Sequence, residues 1–170
     1  MNTTSLGEAN SPRLLARFSR QTSTDVFHAL NWGMTWGVEL VEELKEVAAR
    51  SDRGRARLCF HPSTNDQHHE MLIVMSRTAI ERPQRRTIGF DTKVVVEGRA
   101  RLRYYSDDGE PTRAVELGGE YARYVHTCSN EFHSLLICSD WFVFLEILKG
   151  PFDSRTTEFA HWSPQVEECQ

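Results

Sequence analysis

From residue 55 onward the chain is a succession of short runs of β-branched and aromatic residues cut by Gly, Pro, Asp and Asn. That pattern confines this part of the chain to a mainly β architecture. The runs are "RARLCFHPS", "EMLIVMSRTAI", "KVVVEGRARLRYYSDDGEP", "RAVELGGEYARYVH" and "SLLICSDWFVFLEILKG". Runs of this length, spaced by turn signals, predict about eight to ten strands wrapped into one small barrel or jelly roll. "RARLRYY" alternates basic with apolar residues, as a half-exposed strand does. "SDDGEP" predicts a hairpin whose Asp-Gly supplies the positive φ. In the late run, Trp141 and Val143 fall on one strand face and Phe142 and Phe144 on the other.

Ahead of the strands the period changes. Val38, Val41, Leu44, Val47 and Ala48 recur at steps of three and four, which predicts a helix over about 38–50. Thr35 is placed to cap it, Glu39 sits in its first turn and Gly54 follows its end. "DVFHALNWGMTW" reads as a short edge strand leading into a turn. Residues 1–24 are rich in Ser, Thr and Asn with weak periodicity, and are expected to form a flexible tail. The organisation expected is therefore a tail over 1–24 and one domain over 25–170, with the barrel over about 55–164.

Composition narrows the function classes. At 170 residues the chain can bury a core within one domain. No apolar run reaches the roughly 20 residues that span a bilayer, and the N-terminus lacks a signal-type core. A cytoplasmic protein without membrane contact is expected. The four cysteines (Cys59, Cys128, Cys138, Cys169) contain no CxxC pair, which argues against a zinc ribbon, and reduced cysteines are expected. A net charge of −4 and the lack of a recognisable motif argue against nucleic acid as a partner. Locally the balance reverses: Arg77 to Arg103 holds eight Lys/Arg against three Asp/Glu. Such an excess is a solvated edge or an anion-binding surface.

Motif spacing gives the chain a family likeness. The first cupin motif is His-x-His, three or four residues, Glu, six residues, Gly. Here the same frame reads Gln84-x-Arg86, four residues, Asp91, six residues, Gly98. The second motif, Pro-x-Gly-x-x-His, corresponds to "CSNEFH" and places His133 at its histidine. The chain resembles more specifically the WbuC-type cupin-fold metalloproteins of biosynthetic gene groups. It carries their "R-x-C-x-H" strand as "RARLCFH" (55–61) and their turn as "PQRR" (83–86). It ends as they do, with "EILKGP" from Glu146 and "FAHWSP" (159–164). The resemblance covers about residues 38–164 and implies a single jelly-roll-like cupin barrel with an N-terminal helix.

In such cupins three imidazoles and a carboxylate converge on a divalent metal. Three of those four positions depart here. Gln84 offers a neutral amide oxygen, Arg86 has no lone pair, and Asp91 is shorter than Glu. The degenerate frame implies that no metal cofactor is needed at this position. Arg86 would stand in for the metal's charge, pair with Asp91 and keep donors for an anionic metabolite. Asp91 and His133 would then serve as acid and base, with Gln84, Arg86, His61 and Tyr105 binding substrate. Isomerase, dehydratase or condensation-type chemistry would suit such a pocket. The alternatives are a ligand-sensing cupin without turnover, a dead site filled by an Arg86–Asp91 pair, and a metalloenzyme. The last would hold Zn, Fe or Ni on His61, Asp91 and His133. A homodimer is expected, since many cupins form one.

Two further pairs stand out. His68 and His69 are adjacent and so point to opposite strand faces, which argues for a surface or loop role. His126 and Cys128 share a face and permit a thiolate–imidazole pair.

Overall fold

The computed structural model describes residues 13–128 and 130–163. Pro164 of the C-terminal motif, Cys169 and the side chain of Cys128 lie outside the described residues. Residues 14–23, assigned to the tail by composition, instead form a short helix α1 (Leu14–Phe18) and a strand β1 (Ser19–Ser23). What holds them is local. Leu15 is buried, and the Leu14 and Leu15 backbone N–H groups donate to the Glu43 carboxylate at 2.8 and 3.0 Å.

Next come β2 (Val26–Ala29), helix α2 (Val38–Arg50) and β3 (Arg55–Cys59). The chain continues with β4 (His68–Ser76), β5 (Gln84–Arg86), β6 (Phe90–Glu97), β7 (Arg99–Tyr105) and β8 (Pro111–Gly118). It closes with β9 (Tyr124–Cys128), β10 (Phe132–Ile137), β11 (Trp141–Lys149) and β12 (Thr157–Phe159). The predicted helix appears with the expected bounds, begun by Gly37 rather than capped by Thr35. Among the described residues no helix is long and apolar enough to cross a membrane.

The strands form two sheets, β1-β2-β3-β4-β11-β6-β9 and β12-β5-β10-β7-β8. The expected barrel is thus a two-sheet, jelly-roll-like sandwich rather than one closed ladder. Between the sheets lie Met71, Ile73, Met75, Phe142 and Phe144 from the large one and Ala100, Leu102, Leu135 and Ile137 from the small one. The large sheet is buried on its other face too. There Leu40, Val41, Leu44 and Ala48 of α2 pack on Ala56, Leu58, Leu72, Val74 and Val143. This is why β4 reads as an almost continuous apolar run. The small sheet's outer face is polar, with Arg101 paired to Glu116 at 2.5 Å.

Two connections fix the site. Strands β2 and β3 are parallel neighbours joined through α2, so Phe27 lies beside Leu58 and His28 beside Cys59. Gly98 turns β6 into β7 at φ +83°, where a Cβ would come within 2.0 Å of the Trp141 carbonyl oxygen. Only glycine fits there.

Candidate functional site

Strand alternation decides which side chains enter the sandwich. Ala56 and Leu58 of β3 point toward α2, so Arg55, Arg57 and Cys59 point inward and line a cavity of about 560 Å³. Across the large sheet, directly paired residues form one inner row: His28, Cys59, Met71, Glu146 and Lys93. The next row holds His69, Leu148, Asp91 and Thr127. From the small sheet, Gln84 and Arg86 also line the cavity.

One end of this face is ionic. The Lys93 ammonium, 2% exposed, bonds the Asp91 carboxylate and lies 3.1 Å from Glu146 Oε1. Burial alone would raise the Asp91 pKa, but the Lys93 charge and His133 overcome it and hold it near about 2. Burial would lower Lys93, yet Asp91, Glu146 and Glu81 together push it up. The other two carboxyls go the opposite way. Burial raises Glu81 and Glu146, beyond what Lys93 restores. Glu81 accepts the Leu135 backbone N–H at 2.7 Å. His133 donates Nδ1–H to the Glu131 carbonyl at 3.0 Å and turns Nε2 toward Asp91 Oδ2 at 3.7 Å.

The other end is built from imidazoles and a thiol. His28, Cys59 and His61 are buried, with one ligand-type atom from each lying within 4.8 Å of the others. The His61 ring stacks on His69 with centroids 3.8 Å apart. Burial, aided by His69, lowers His61 to about 4, and burial raises the Cys59 thiol to about 11. Burial lowers His69 as well. Gly150 makes this packing fit, since a Cβ there would meet the Asp66 carbonyl at 1.9 Å and the His69 ring at 2.7 Å.

Between the two ends, arginines dominate the wall. Arg53 is 3.5 Å from Asp25. Arg86 donates to Thr156 Oγ1 at 3.5 Å, while its buried Nε, like that of Arg57, has no partner.

The cupin frame is present in three dimensions. Gln84 pairs with His133 across β5 and β10, and Asp91 reaches the same histidine. Asn130, at the glycine position of the second motif, takes φ +73°, a region Asn tolerates better than most residues. The detailed expectations need correction. Asp91 pairs with Lys93 and not with Arg86, because Lys93 lies two residues along the same strand face. His61 does not gather with Asp91 and His133. Among the described residues the one group of three metal-type ligands is His28, Cys59 and His61. Asp91, His133 and Tyr105 do not line the cavity. Tyr105 packs with Phe132 and Ala160 in a satellite cluster, its hydroxyl 3.2 Å from Ser134 Oγ. His68 is exposed beside Glu70, whereas His69 is buried, as adjacent strand residues must diverge. Cys138 is disulfide-bonded rather than reduced.

The family metal position does not fit a divalent ion in this chain. Lys93 already neutralises Asp91, Arg86 has no lone pair, and Gln84 is a weak ligand. Lys93, Glu81 and His28 went unsingled in the sequence. The signal for Lys93 was a charge inside "TKVVVEG", on the face of Asp91 and Val95.

Comparison with solved structures bears on the fold. Residues 37–117 match a family model described as a domain of unknown function, DUF6016. No curated protein matches the sequence. Among solved structures, the capsular polysaccharide assembling protein CapF from Staphylococcus aureus superposes with a TM-score of 0.55 at 17% identity. The match covers 64% of this chain and 30% of that one. Protein SO0799 from Shewanella oneidensis gives a TM-score of 0.48 at 13% identity over 59% of this chain and 65% of that one. The chain therefore spans less than two thirds of either. The fold is a cupin fold.

Proposed function

We propose that the cavity binds a small anionic metabolite, a carboxylate or phosphate, and that the protein is a biosynthetic enzyme of WbuC-like type acting on it by proton transfer. The observation that carries this reading is the pair of buried, unpartnered Nε–H groups of Arg57 and Arg86, two residues that line the same cavity from opposite sheets. A buried donor without a partner costs free energy, and an oxyanion would satisfy it with charge-assisted hydrogen bonds. Gln84 and His61 complete the wall around it.

Glu146 and Glu81 are the proton-transfer groups of the reading. Both line the cavity, and burial raises both above the ordinary carboxylate range. A carboxyl raised above its ordinary range can give or take a proton in an isomerisation or dehydration. Asp91 and His133 hold Lys93 behind the wall and so set the charge that Glu146 feels. The second reading, a ligand sensor without turnover, is favoured by one observation: Asp91 and His133 are shut off from the cavity.

The test is calorimetric titration of small dicarboxylates and sugar phosphates chosen by thermal shift. Arg86→Ala and Arg57→Ala should each weaken the best ligand by about 10- to 100-fold. Wild-type protein that no anion stabilises would end the proposal. Glu146→Gln that binds but no longer turns over identifies an enzyme. Unchanged pathway flux in the same variant identifies the sensor.

A further inference from the structure

The imidazole–thiol end of the cavity has no function in the scheme above, and its geometry is that of a ligand set. His28, Cys59 and His61 come from two parallel neighbouring strands and the loop after the second, and they are 8%, 2% and 2% exposed. Their ligand-type atoms all lie within 4.8 Å of one another. A tetrahedral zinc site, with Zn–N about 2.0–2.1 Å and Zn–S about 2.3 Å, sets its ligand atoms about 3.3–3.8 Å apart. A contraction of about 1.5 Å at most would bring these three onto one ion.

Both imidazoles are also already oriented. His28 Nδ1–H donates to the His61 carbonyl at 3.1 Å, and His61 Nδ1–H donates to the Glu70 carbonyl at 3.2 Å. A carbonyl can only accept, so each Nδ1 carries the proton and each Nε2 keeps its lone pair. This is the outer hydrogen bonding that metal-ligating histidines use. Cys59 is a free cysteine, two residues from His61. An independent observation lies alongside. His69 stacks on His61, its imidazole meets the Asp66 and Thr64 backbone, and its buried Nε2 has no partner.

We propose that His28, Cys59 and His61 form a site for a zinc-type divalent ion, with its fourth position open to the cavity. The chemistry of the set favours such an ion, since two imidazoles and a thiolate suit zinc, whereas hard oxygen-seeking ions such as magnesium would be excluded. On binding, the Cys59 S–H bond breaks, its proton leaves to solvent and the Sγ lone pair forms the metal bond. Three protein ligands and one open position is the arrangement of catalytic rather than structural zinc. The identity of the fourth ligand, the anion held by Arg57 and Arg86, rests on the reading of the pocket given above. The three protein ligands do not depend on it.

The experiment is titration of metal-free full-length protein with cobalt(II) and, in competition, zinc(II), without any anion present. The expected result is one tightly held ion per chain, with a thiolate-to-cobalt charge-transfer band and tetrahedral visible absorption. Cys59→Ser should abolish the charge-transfer band. His28→Ala should weaken zinc at least about tenfold. Zinc should raise the melting temperature of the wild type and not of Cys59→Ser, a readout that also reports whether each variant folds. His68→Ala, which alters an exposed histidine, should behave as wild type. Failure of the wild type to bind either ion, or an unchanged spectrum in Cys59→Ser, overturns the site. So does loss of binding in His68→Ala. Anion titration of the same metal-free protein judges the pocket separately, because Arg57 and Arg86 are not in the ligand set.

Discussion

The two ends of the large sheet's inner face are equally buried and opposite in character. At one end Lys93, Asp91 and Glu146 satisfy one another by charge. At the other, His28, Cys59 and His61 bring two imidazoles and a thiol together, and the buried Nε2 of His69 beside them has no partner among the described residues. Both arise from the same strand period on one sheet face. The difference teaches that one sheet face can carry a self-neutralised ionic group and a set of soft ligand atoms side by side. Lys93 stands on the same strand face as Asp91, and the soft ligand atoms lie elsewhere on the same sheet face.

The largest effect should come from removing the internal cation. Lys93→Met keeps the volume but leaves Asp91 and two further carboxyls buried without their counter-charge. Breaking a buried pair this way costs about 3–5 kcal/mol, so urea unfolding near neutral pH should show a loss of that size. Adding Asp91→Asn to the same chain should recover part of it. A loss under about 1 kcal/mol would mean that the ionic end does not organise the fold.

A smaller effect is expected at the other end. Gly150→Ala would drive a methyl into the Asp66 carbonyl and the His69 ring. Overpacking of this kind costs about 1–3 kcal/mol. The same substitution should shift His69 resonances in an NMR spectrum while leaving those of His133 in place. A melting temperature equal to wild type would show that the Gly150 turn gives way freely.

The smallest effect separates the ends by pH. His61 is depressed to about 4 by burial. Its contribution to stability is complete above the unfolded value of about 6.5 and fades as pH falls from there toward 4. Glu81 and Glu146 are raised, so their contribution runs the other way and is lost as pH rises above the unfolded carboxylate value. The difference in melting temperature between wild type and His61→Gln cancels the carboxyl part. It should shrink by a few degrees between pH 7 and pH 4, and a constant difference would contradict the assigned burial.

The comparison also shows what the sequence makes legible. Turn residues, the two periods and motif spacing are local, and they correctly give the helix over 38–50, the hairpin at 106–110, the divergence of His68 from His69 and the facing of Trp141 through Phe144. The frame from Gln84 to Gly98 is local as well. What stays hidden is register between distant strands. His28 joins Cys59 only through a parallel pairing across α2, and Glu146 meets Lys93 only because β11 lies beside β6. Motif spacing marks Arg86 and not Lys93, although the lysine shares Asp91's face. The order of residues 14–23 escaped because two backbone bonds to Glu43 hold it, rather than any periodic pattern.

The helix laid across the outer face of the large sheet has a consequence for how this protein can change over generations. With one face under α2 and the other facing the small sheet, β4 and β11 have almost no position where a side chain can vary without meeting a packed neighbour. The small sheet has one bare face, where paired charges such as Arg101 and Glu116 stand over solvent. Substitutions should therefore accumulate on that face and leave the cavity wall nearly untouched. Of the two sheets, the one that supplies most of the cavity lining is the one least free to drift.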